Sequence, residues 1–229
     1  MRIYYHPAST TSRPLMLFAA ESGMDIEFKL VDIMGGEHCQ PQFTGINPNR
    51  LVPVLEDGDF RLTESSAILK YLAEKSGSSA YPKELRQRAR VNEVMDWVNT
   101  QFCRDVAYGL VYPQILPTQK RPSEELQRGT LSWSKERARE WMKVLDQSMI
   151  GPKKRYLCGD QITIADYFAS AFVSLAEFIR CDFSPYPNLE RWYNTMKALP
   201  SWNKVNEAFY GWAGDASPAV ASAVGSRTS

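Results

Sequence analysis

The sequence predicts an α/β domain followed by an all-α domain, and three observations support this. Short apolar segments of strand character and a strong hairpin signal at Asp57-Gly58 lie in the first third of the chain. The segment from Ser76 to Pro82 is small and polar and ends in proline, which is typical of a domain boundary. Beyond this segment, apolar residues recur at helical spacing.

The first domain, residues 1–77, is predicted to contain a βαβ unit, a hairpin and a closing helix. A strand–helix–strand order implies a parallel strand pair with a right-handed crossover. The polar segment 34–50 contains glycine and allows at most a short helix. The predicted elements are strands at 2–6, 26–31, 54–56 and 60–62, and helices at 14–23 and from 63 onwards.

The second domain, residues 84–213, is predicted to be helical throughout. One long helix begins near residue 84, and Pro113 and Pro117 mark where it ends or bends. A second long helix spans about 123–149, and Pro187 and Pro200 are expected to start two further helices. Residues 214–229, rich in alanine, serine and glycine, are predicted to form a loose tail.

A capping box opens a further helix, which lies between the helix at 123–149 and the helix that starts at Pro187. Thr163 can cap the backbone N–H of Asp166, and the Asp166 carboxylate can reach back to the N–H of Thr163. A carboxylate at this place could also serve catalysis. Because the spacing is that of a helix start, we predict a folding role for Asp166.

Composition excludes several classes of function. The 27 basic and 26 acidic residues nearly cancel and form no block of like charge, so nothing indicates nucleic-acid or membrane binding. Four cysteines without a C-x-x-C pair, and only two histidines, predict reduced thiols and no metal site. The chain has no apolar run long enough for a signal peptide or membrane helix, so we expect a cytoplasmic protein.

The stretch 46–72 organises the first domain. The ring of Pro53 keeps Val52 extended, so Val52 should offer a free backbone N–H and C=O, as an edge strand does. Thr63-Glu64-Ser65-Ser66 opens a helix whose first N–H groups have no partner within the helix. That helix end is therefore a candidate carboxylate-binding site.

Ser9 and Ser12 lie three residues apart where a strand turns into a helix. With no thiol here, the site cannot form a protein disulfide, but a hydroxyl beside a helix N-terminus can stabilise the thiolate of a ligand. The alternative is that both serines are loop and helix-capping residues. For Ser12 we favour capping.

These motifs resemble those of glutathione transferases. The sequence DGDF-LTESSAIL-YL is very close to theta-class members, whereas YYHPAS and GEH are similar to delta-class and bacterial dichloromethane-dehalogenase-like members. The resemblance extends from residue 1 to about 212. It implies a thioredoxin-like first domain, glutathione as co-substrate, and no tightly bound cofactor.

The resemblance also implies roles for individual residues. Ser9 would stabilise the glutathione thiolate, and Glu64 and Ser65 would hold the ammonium and carboxylate of the γ-glutamyl end. Val52 would pair its backbone with the cysteinyl unit, and Pro53 is cis in the family.

The glycyl end of glutathione would meet basic residues. His38 matches the family histidine, and Arg50 stands where delta members often carry a second one. The alternative for Arg50 is a solvated loop residue.

The second substrate is expected to be a small hydrophobic electrophile. Its pocket would include Tyr108, Tyr112, Arg104 and either Phe209 or Trp212, although aromatic residues at such spacing often belong to the core.

The resemblance leaves alternative functions open and also implies an oligomeric state. The chain could be a glutathione-dependent dehalogenase or a non-catalytic glutathione-binding or scaffold protein. Disulfide reduction is disfavoured, because positions 9 and 12 lack cysteine. The family is usually homodimeric, so we expect a homodimer with the helices 65–75 and 84–110 near its two-fold axis.

Overall fold

The computed structural model describes residues 1–215, and the side chains of residues 1–214. Its only sheet in this part of the chain has four strands in the order β2-β1-β3-β4. Strands β1 (Arg2–Tyr5) and β2 (Glu27–Leu30) are parallel, whereas β3 (Val54–Asp57) runs antiparallel to β1 and to β4 (Phe60–Leu62). The predicted α/β domain and its parallel first pair are confirmed.

The hairpin between β3 and β4 differs slightly from the prediction. Asp57 pairs with Phe60, so the two loop residues are Gly58 and Asp59 rather than Asp57 and Gly58. Gly58 has φ of +65°, a conformation that glycine adopts without steric cost.

Helices cover both faces of the sheet. On one face Ile3 and Leu55 pack in the main core with α1 (Arg13–Glu21) and α3 (Ser65–Lys75). The opposite face carries a smaller cluster around the short helix α2, Pro41–Thr44. The alternation of neighbouring residues along β1 and β3 between the two faces explains this two-sided burial. The small cluster contains Tyr4, Val31, Phe43, Val52 and Val54.

The second domain is helical, as predicted. Its first helix runs without a break from residue 85 to 115, because α4 continues through π-type turns into α5. Pro113 therefore lies inside this helix, two residues before its last residue Ile115, so the helix ends just after this proline and before Pro117. The bounds are α4 Leu85–Trp97, π-type Val98–Val111, α5 Tyr112–Ile115, α6 Glu124–Lys143 continuing as π-type Val144–Ile150, α7 Ile164–Val173, α8 Leu175–Phe178, α9 Pro187–Lys197 and α10 Trp202–Asp215.

The predicted capping box at α7 is confirmed. The N–H of Thr163 donates to Asp166 Oδ2 at 2.8 Å, and the N–H of Leu157 and Nε1 of Trp192 donate to Oδ1 at 2.8 and 2.9 Å. Burial raises the pKa of Asp166, while these hydrogen bonds act in the opposite direction. Asp166 is fully buried and joins three segments, so its role is structural.

The end of the chain differs from the prediction at its boundary. Helix α10 starts at Trp202, two residues after Pro200, and continues to Asp215. The predicted tail therefore cannot begin at residue 214; its remaining part, 216–229, lies outside the described residues. No described helix has the length and apolar character needed to cross a membrane.

Candidate active site

Two adjoining cavities lie between the sheet and the long helix 85–115. The first has a volume of about 210 Å³ and contains Ser9, and the second, about 290 Å³, contains Glu64 and Ser65. Both cavities are lined by Thr11, Leu51, Val52 and Tyr108. They therefore form one continuous groove along residues 50–53.

A chain of hydroxyl groups lies at the Ser9 end of the groove. Ser9 Oγ is 3.1 Å from Thr11 Oγ1 and accepts a hydrogen bond from the N–H of Ser12 at 3.3 Å. Thr11 Oγ1 donates to the carbonyl oxygen of Val52 at 3.0 Å. The prediction that Val52 has a free C=O is thus wrong, because the threonine hydroxyl reaches it first.

Ser12 does not cap helix α1 through its side chain. It is almost fully buried, and its Oγ accepts a hydrogen bond from the N–H of His6 at 3.4 Å. Ser9 Oγ accepts the N–H of Ser12, which is the residue just before the first turn of α1. Ser12 therefore occupies the N-cap position of α1 without making a capping hydrogen bond through its side chain.

Tyr112 fixes the loop next to Ser9. Its hydroxyl donates to Thr10 Oγ1 at 3.0 Å, and its ring packs edge-on against Tyr108 with 5.1 Å between centroids. Burial raises the pKa of Tyr112, so its hydroxyl is protonated at neutral pH. Both tyrosines line the Ser9 cavity, as does Trp212.

Phe209 does not line either cavity. It is fully buried, and the Arg13 guanidinium lies 3.8 Å from the centre of its ring. Arg13 in turn donates to Ser174 Oγ and Asn206 Oδ1, which joins α1 to the helical domain. The prediction of a pocket role for Phe209 is therefore corrected to a core role.

The two ends of the groove differ in charge. His38 and Arg50 line the Ser9 cavity, whereas Glu64 lines the other. Nδ1 of His38 is buried without a hydrogen-bond partner among the described residues, which is unusual for a buried polar atom. The groove thus has two basic residues at one end and Glu64 together with Arg104 at the other, and Val52 lines both cavities.

Helix α3 begins at the Glu64 end of the groove. The N–H of Ile68 donates to the carbonyl of Glu64 at 2.9 Å, so the N–H groups of the preceding helical residues have no acceptor within the helix. Ser65 is the first helical residue and is nearly buried. This arrangement suits a carboxylate ligand.

Two groove residues have a strained backbone that the sequence did not indicate. Glu64 has φ of 65° and Arg50 has φ of 58°, values that residues other than glycine rarely adopt. Such strain is held in place by surrounding structure and concentrates at functional sites. The Val52-Pro53 peptide bond between them is cis.

Arg104 is held at the rim of the second cavity. Its guanidinium donates to both carboxylate oxygens of Asp105 at 2.9 and 3.0 Å, and Nε1 of Trp141 donates to Asp105 Oδ2 at 2.7 Å. The neighbouring Cys103 has its pKa raised to about 12 by burial and is no thiolate at neutral pH. The lining also includes Leu116 and Asn99, which no local sequence pattern indicates, and Thr11, whose hydroxyl is a neighbour of Ser9 in the same loop.

A larger cavity, about 800 Å³, lies elsewhere, between the interdomain segment and the start of α7. Its one thiol, Cys158, has its pKa raised to about 11, mainly by burial. No chain of hydroxyl groups like that at Ser9 is described there. The groove, and not this cavity, is therefore the candidate active site.

Fold and site define a class: a thioredoxin-like domain with a cis-proline loop, followed by an all-helical domain. Residues 1–74 match the family model "Glutathione S-transferase, N-terminal domain", and 116–200 match "Glutathione S-transferase, C-terminal domain". The chain belongs to the glutathione S-transferase family, and it is an enzyme of the theta/delta type.

Solved structures agree with this assignment. A delta-class glutathione transferase of Nilaparvata lugens is 30% identical, with a TM-score of 0.75 over 94% of this chain and 99% of that one. Human glutathione-S-transferase T1-1 is 27% identical, with a TM-score of 0.80 over 93% and 90% of the two chains. An epsilon-class enzyme of the housefly Musca domestica is 26% identical, with a TM-score of 0.77 over 94% and 96%.

Proposed function

We propose that the protein holds glutathione in the groove as a thiolate, stabilised by Ser9, and transfers it to small hydrophobic electrophiles. The observation that carries this proposal is the position of Val52, which lines both the cavity that contains Glu64 and the cavity that contains His38 and Arg50. Glutathione needs this set of partners, because it has an ammonium, two carboxylates and a peptide backbone between them.

Each part of the groove has a partner in the tripeptide. Glu64 accepts from the γ-glutamyl ammonium, and the α3 N-terminus with Ser65 holds the neighbouring carboxylate. The backbone of Val52 pairs with the cysteinyl unit as an added strand does. His38 and Arg50 bind the glycyl carboxylate, Arg50 by charge-assisted hydrogen bonds.

The chemistry of the proposed reaction begins with the thiol. A free thiol has a pKa near ~8.5, which must fall by roughly one to two units for the thiolate to predominate at neutral pH. A hydrogen bond from Ser9 to the charged sulfur and the positive end of α1 both favour the ionised form. The thiolate then attacks an electrophilic carbon held near it by Tyr108, Tyr112, Leu116 and Trp212.

The decisive experiment measures thiolate absorbance of bound glutathione against pH in the wild type and in Ser9→Ala. We expect the pKa of the bound thiol to rise by at least about one unit in the variant. An unchanged pKa would contradict the role of Ser9. Halide release from haloalkanes, compared with conjugation of aryl halides, epoxides and enals, then identifies the class of electrophile.

We also propose a cytoplasmic homodimer with a role in detoxification. All four cysteines are free thiols, which suits a reducing compartment. Phe60 is 45% exposed on the hairpin next to α3, beside the surface proposed for the two-fold axis, where a partner would cover it. Sedimentation velocity tests this: Phe60→Ser should shift the protein towards monomer, and a monomeric wild type would contradict the proposal.

A further inference from the structure

We infer that Thr11 is a positioning residue that couples seating of the glutathione backbone on Val52 to ionisation of the glutathione thiol. The inference rests on the proposed function of the groove. Two hydrogen bonds at Thr11 have a direction that the chemistry of hydroxyl groups determines.

The hydroxyl hydrogen of Thr11 is donated to the Val52 carbonyl in this structure. The Val52 carbonyl can only accept, so Thr11 is the donor in the 3.0 Å contact between them. A hydroxyl has one hydrogen, and Thr11 therefore cannot also donate to Ser9. In the 3.1 Å contact between Ser9 Oγ and Thr11 Oγ1, the donor must be Ser9.

The hydrogen of the Ser9 hydroxyl is thus engaged by Thr11. The chain runs from Ser9 to Thr11 to the Val52 carbonyl, and the N–H of Ser12 donates into Ser9 Oγ from the other side. In this arrangement Ser9 presents no free hydrogen to a ligand. Activation of a thiol by Ser9 requires the chain to change direction.

Bound glutathione supplies both conditions for that change. Its cysteinyl N–H is a second donor for the Val52 carbonyl, and it competes with Thr11 for that oxygen, which weakens the hold of Val52 on the Thr11 hydrogen. Its sulfur, once ionised, is a charged acceptor, and hydrogen bonds to charged acceptors are roughly twice as strong as neutral ones. Both effects favour a chain that runs from Thr11 to Ser9 to the thiolate.

The reversal needs only rotation of two hydroxyl hydrogens. Ser9 Oγ and Thr11 Oγ1 already lie 3.1 Å apart, so neither oxygen has to move. Ser9 Oγ then accepts from Thr11 and from the Ser12 N–H and donates once, which uses its full hydrogen-bonding capacity. The thiol proton leaves to water, and both hydroxyl groups stay protonated throughout.

The reversed chain lowers the pKa of the thiol further than Ser9 alone. A hydroxyl that accepts a hydrogen bond becomes a better donor, because neighbouring hydrogen bonds polarise one another. Ionisation is therefore favoured only when the peptide backbone occupies Val52. A thiol ligand that lacks the peptide backbone of glutathione would leave Thr11 bonded to Val52, so Ser9 would have no free hydrogen to donate to it.

Other titratable groups face the same groove, and a change at Thr11 leaves their charges in place. They are His38, Arg50, Tyr108 and Tyr112 in the Ser9 cavity, and Glu64, Cys103 and Arg104 in the adjoining one. Arg13 and His6 lie next to the Ser9 loop in sequence, and burial lowers the pKa of both. A pKa shift in a Thr11 variant thus reports the hydroxyl.

The test compares Thr11→Val, which removes the hydroxyl at nearly constant volume, with Thr11→Ser, which keeps it. The readouts are the pKa of bound glutathione, from thiolate absorbance, and the Kd of S-methylglutathione, which has no thiol to ionise. We expect the pKa to rise by roughly 0.5 to 1 unit in Thr11→Val and to stay near wild type in Thr11→Ser. S-methylglutathione should bind Thr11→Val at least as tightly as wild type.

Two controls make the result decisive. Thr195→Val alters a half-buried threonine, far from the groove in sequence, whose hydroxyl bonds to its own helix, and it should change neither readout. Thr11→Ala should raise the pKa of bound glutathione as Thr11→Val does. It replaces Thr11→Val in the test if the valine variant fails to fold. An unchanged or lowered pKa in the folded Val or Ala variant, or no rescue in Thr11→Ser, overturns the inference.

The outcome also separates this inference from the proposed function. If wild type does not bind glutathione, or Ser9→Ala leaves the pKa of the bound thiol unchanged, the proposed function fails. If Ser9→Ala raises that pKa and folded Thr11→Val does not, only the coupling through Thr11 fails.

Discussion

Tyr112 donates a 3.0 Å hydrogen bond to Thr10, and this contact joins the long helix of the second domain to the Ser9 loop of the first. Thr10 is almost fully buried, so its hydroxyl depends on this partner. Ser9 and Thr11 flank Thr10, and their own contacts hold only if the loop between them is fixed. The helical domain therefore takes part in shaping the proposed thiol site.

Tyr112→Phe should reduce both stability and activity. It keeps the ring and removes one partly buried hydrogen bond, so we expect the free energy of unfolding to fall by about 1 to 2 kcal/mol. Because the Ser9 loop loses its anchor, kcat/KM with an aryl halide should fall several-fold. Urea unfolding and steady-state kinetics measure the two effects.

The matched control is Tyr108→Phe. Tyr108 is the neighbouring ring of the same pair and is 46% exposed, so its hydroxyl contributes little to folding. We expect unchanged stability for this variant. Equal losses of stability in the two variants would contradict the anchoring role of Tyr112.

Substitutions at Glu64 should separate backbone strain from ligand binding. Glu64 has φ of 65°, which glycine adopts freely and alanine does not. Glu64→Gly should therefore be more stable than Glu64→Ala by about 1 kcal/mol. Both variants lack the carboxylate proposed to bind the glutathione ammonium, and calorimetry should show weaker glutathione binding in both. A more stable alanine variant would show that the strain is absent.

Asp105 should make stability depend on pH in the acid range. Burial alone would raise the pKa of Asp105, but hydrogen bonds from Arg104 and Trp141 reverse this and lower the pKa. A carboxyl with a lowered folded-state pKa stabilises the fold above its unfolded pKa of about 4, and this contribution is lost as pH falls through the folded-state value. Urea midpoints measured from pH 6 to pH 3 should therefore fall more steeply in wild type than in Asp105→Asn.

The same variant makes a second, independent test at neutral pH. Asn keeps the size of Asp105 but cannot accept both hydrogen bonds from Arg104 as a carboxylate does. We expect a loss of about 1 to 3 kcal/mol in the free energy of unfolding at pH 7. Parallel pH profiles for wild type and Asp105→Asn would argue against the assigned pKa.

Asp166→Ala should be among the most destabilising single changes. It leaves buried donors of Leu157, Thr163 and Trp192 without an acceptor, and we expect a loss of about 3 to 5 kcal/mol or failure to fold. Asp160→Ala, at a nearby exposed aspartate, should change stability by less than about 0.5 kcal/mol. Full stability with lost activity in Asp166→Ala would instead indicate a catalytic role.

Local sequence determined the elements of this protein. The hairpin glycine, the Thr163–Asp166 capping box and the helical periodicity after residue 84 are each decided by neighbours in the chain, and the structure contains all three. The same holds for the parallel pairing of β1 with β2, because a strand–helix–strand crossover favours it.

Tertiary structure alone decided which side chains meet. Phe209 and Trp212 are aromatic residues three positions apart on one helix, so the sequence alone does not distinguish them. Phe209 packs against Arg13 and is buried, whereas Trp212 lines the Ser9 cavity. The contact of Thr11 with Val52 joins residues 41 positions apart, and no local pattern encodes its direction. Side-chain periodicity specifies a face of an element, whereas a hydrogen bond between loops depends on how the elements pack, and packing is a property of the whole fold.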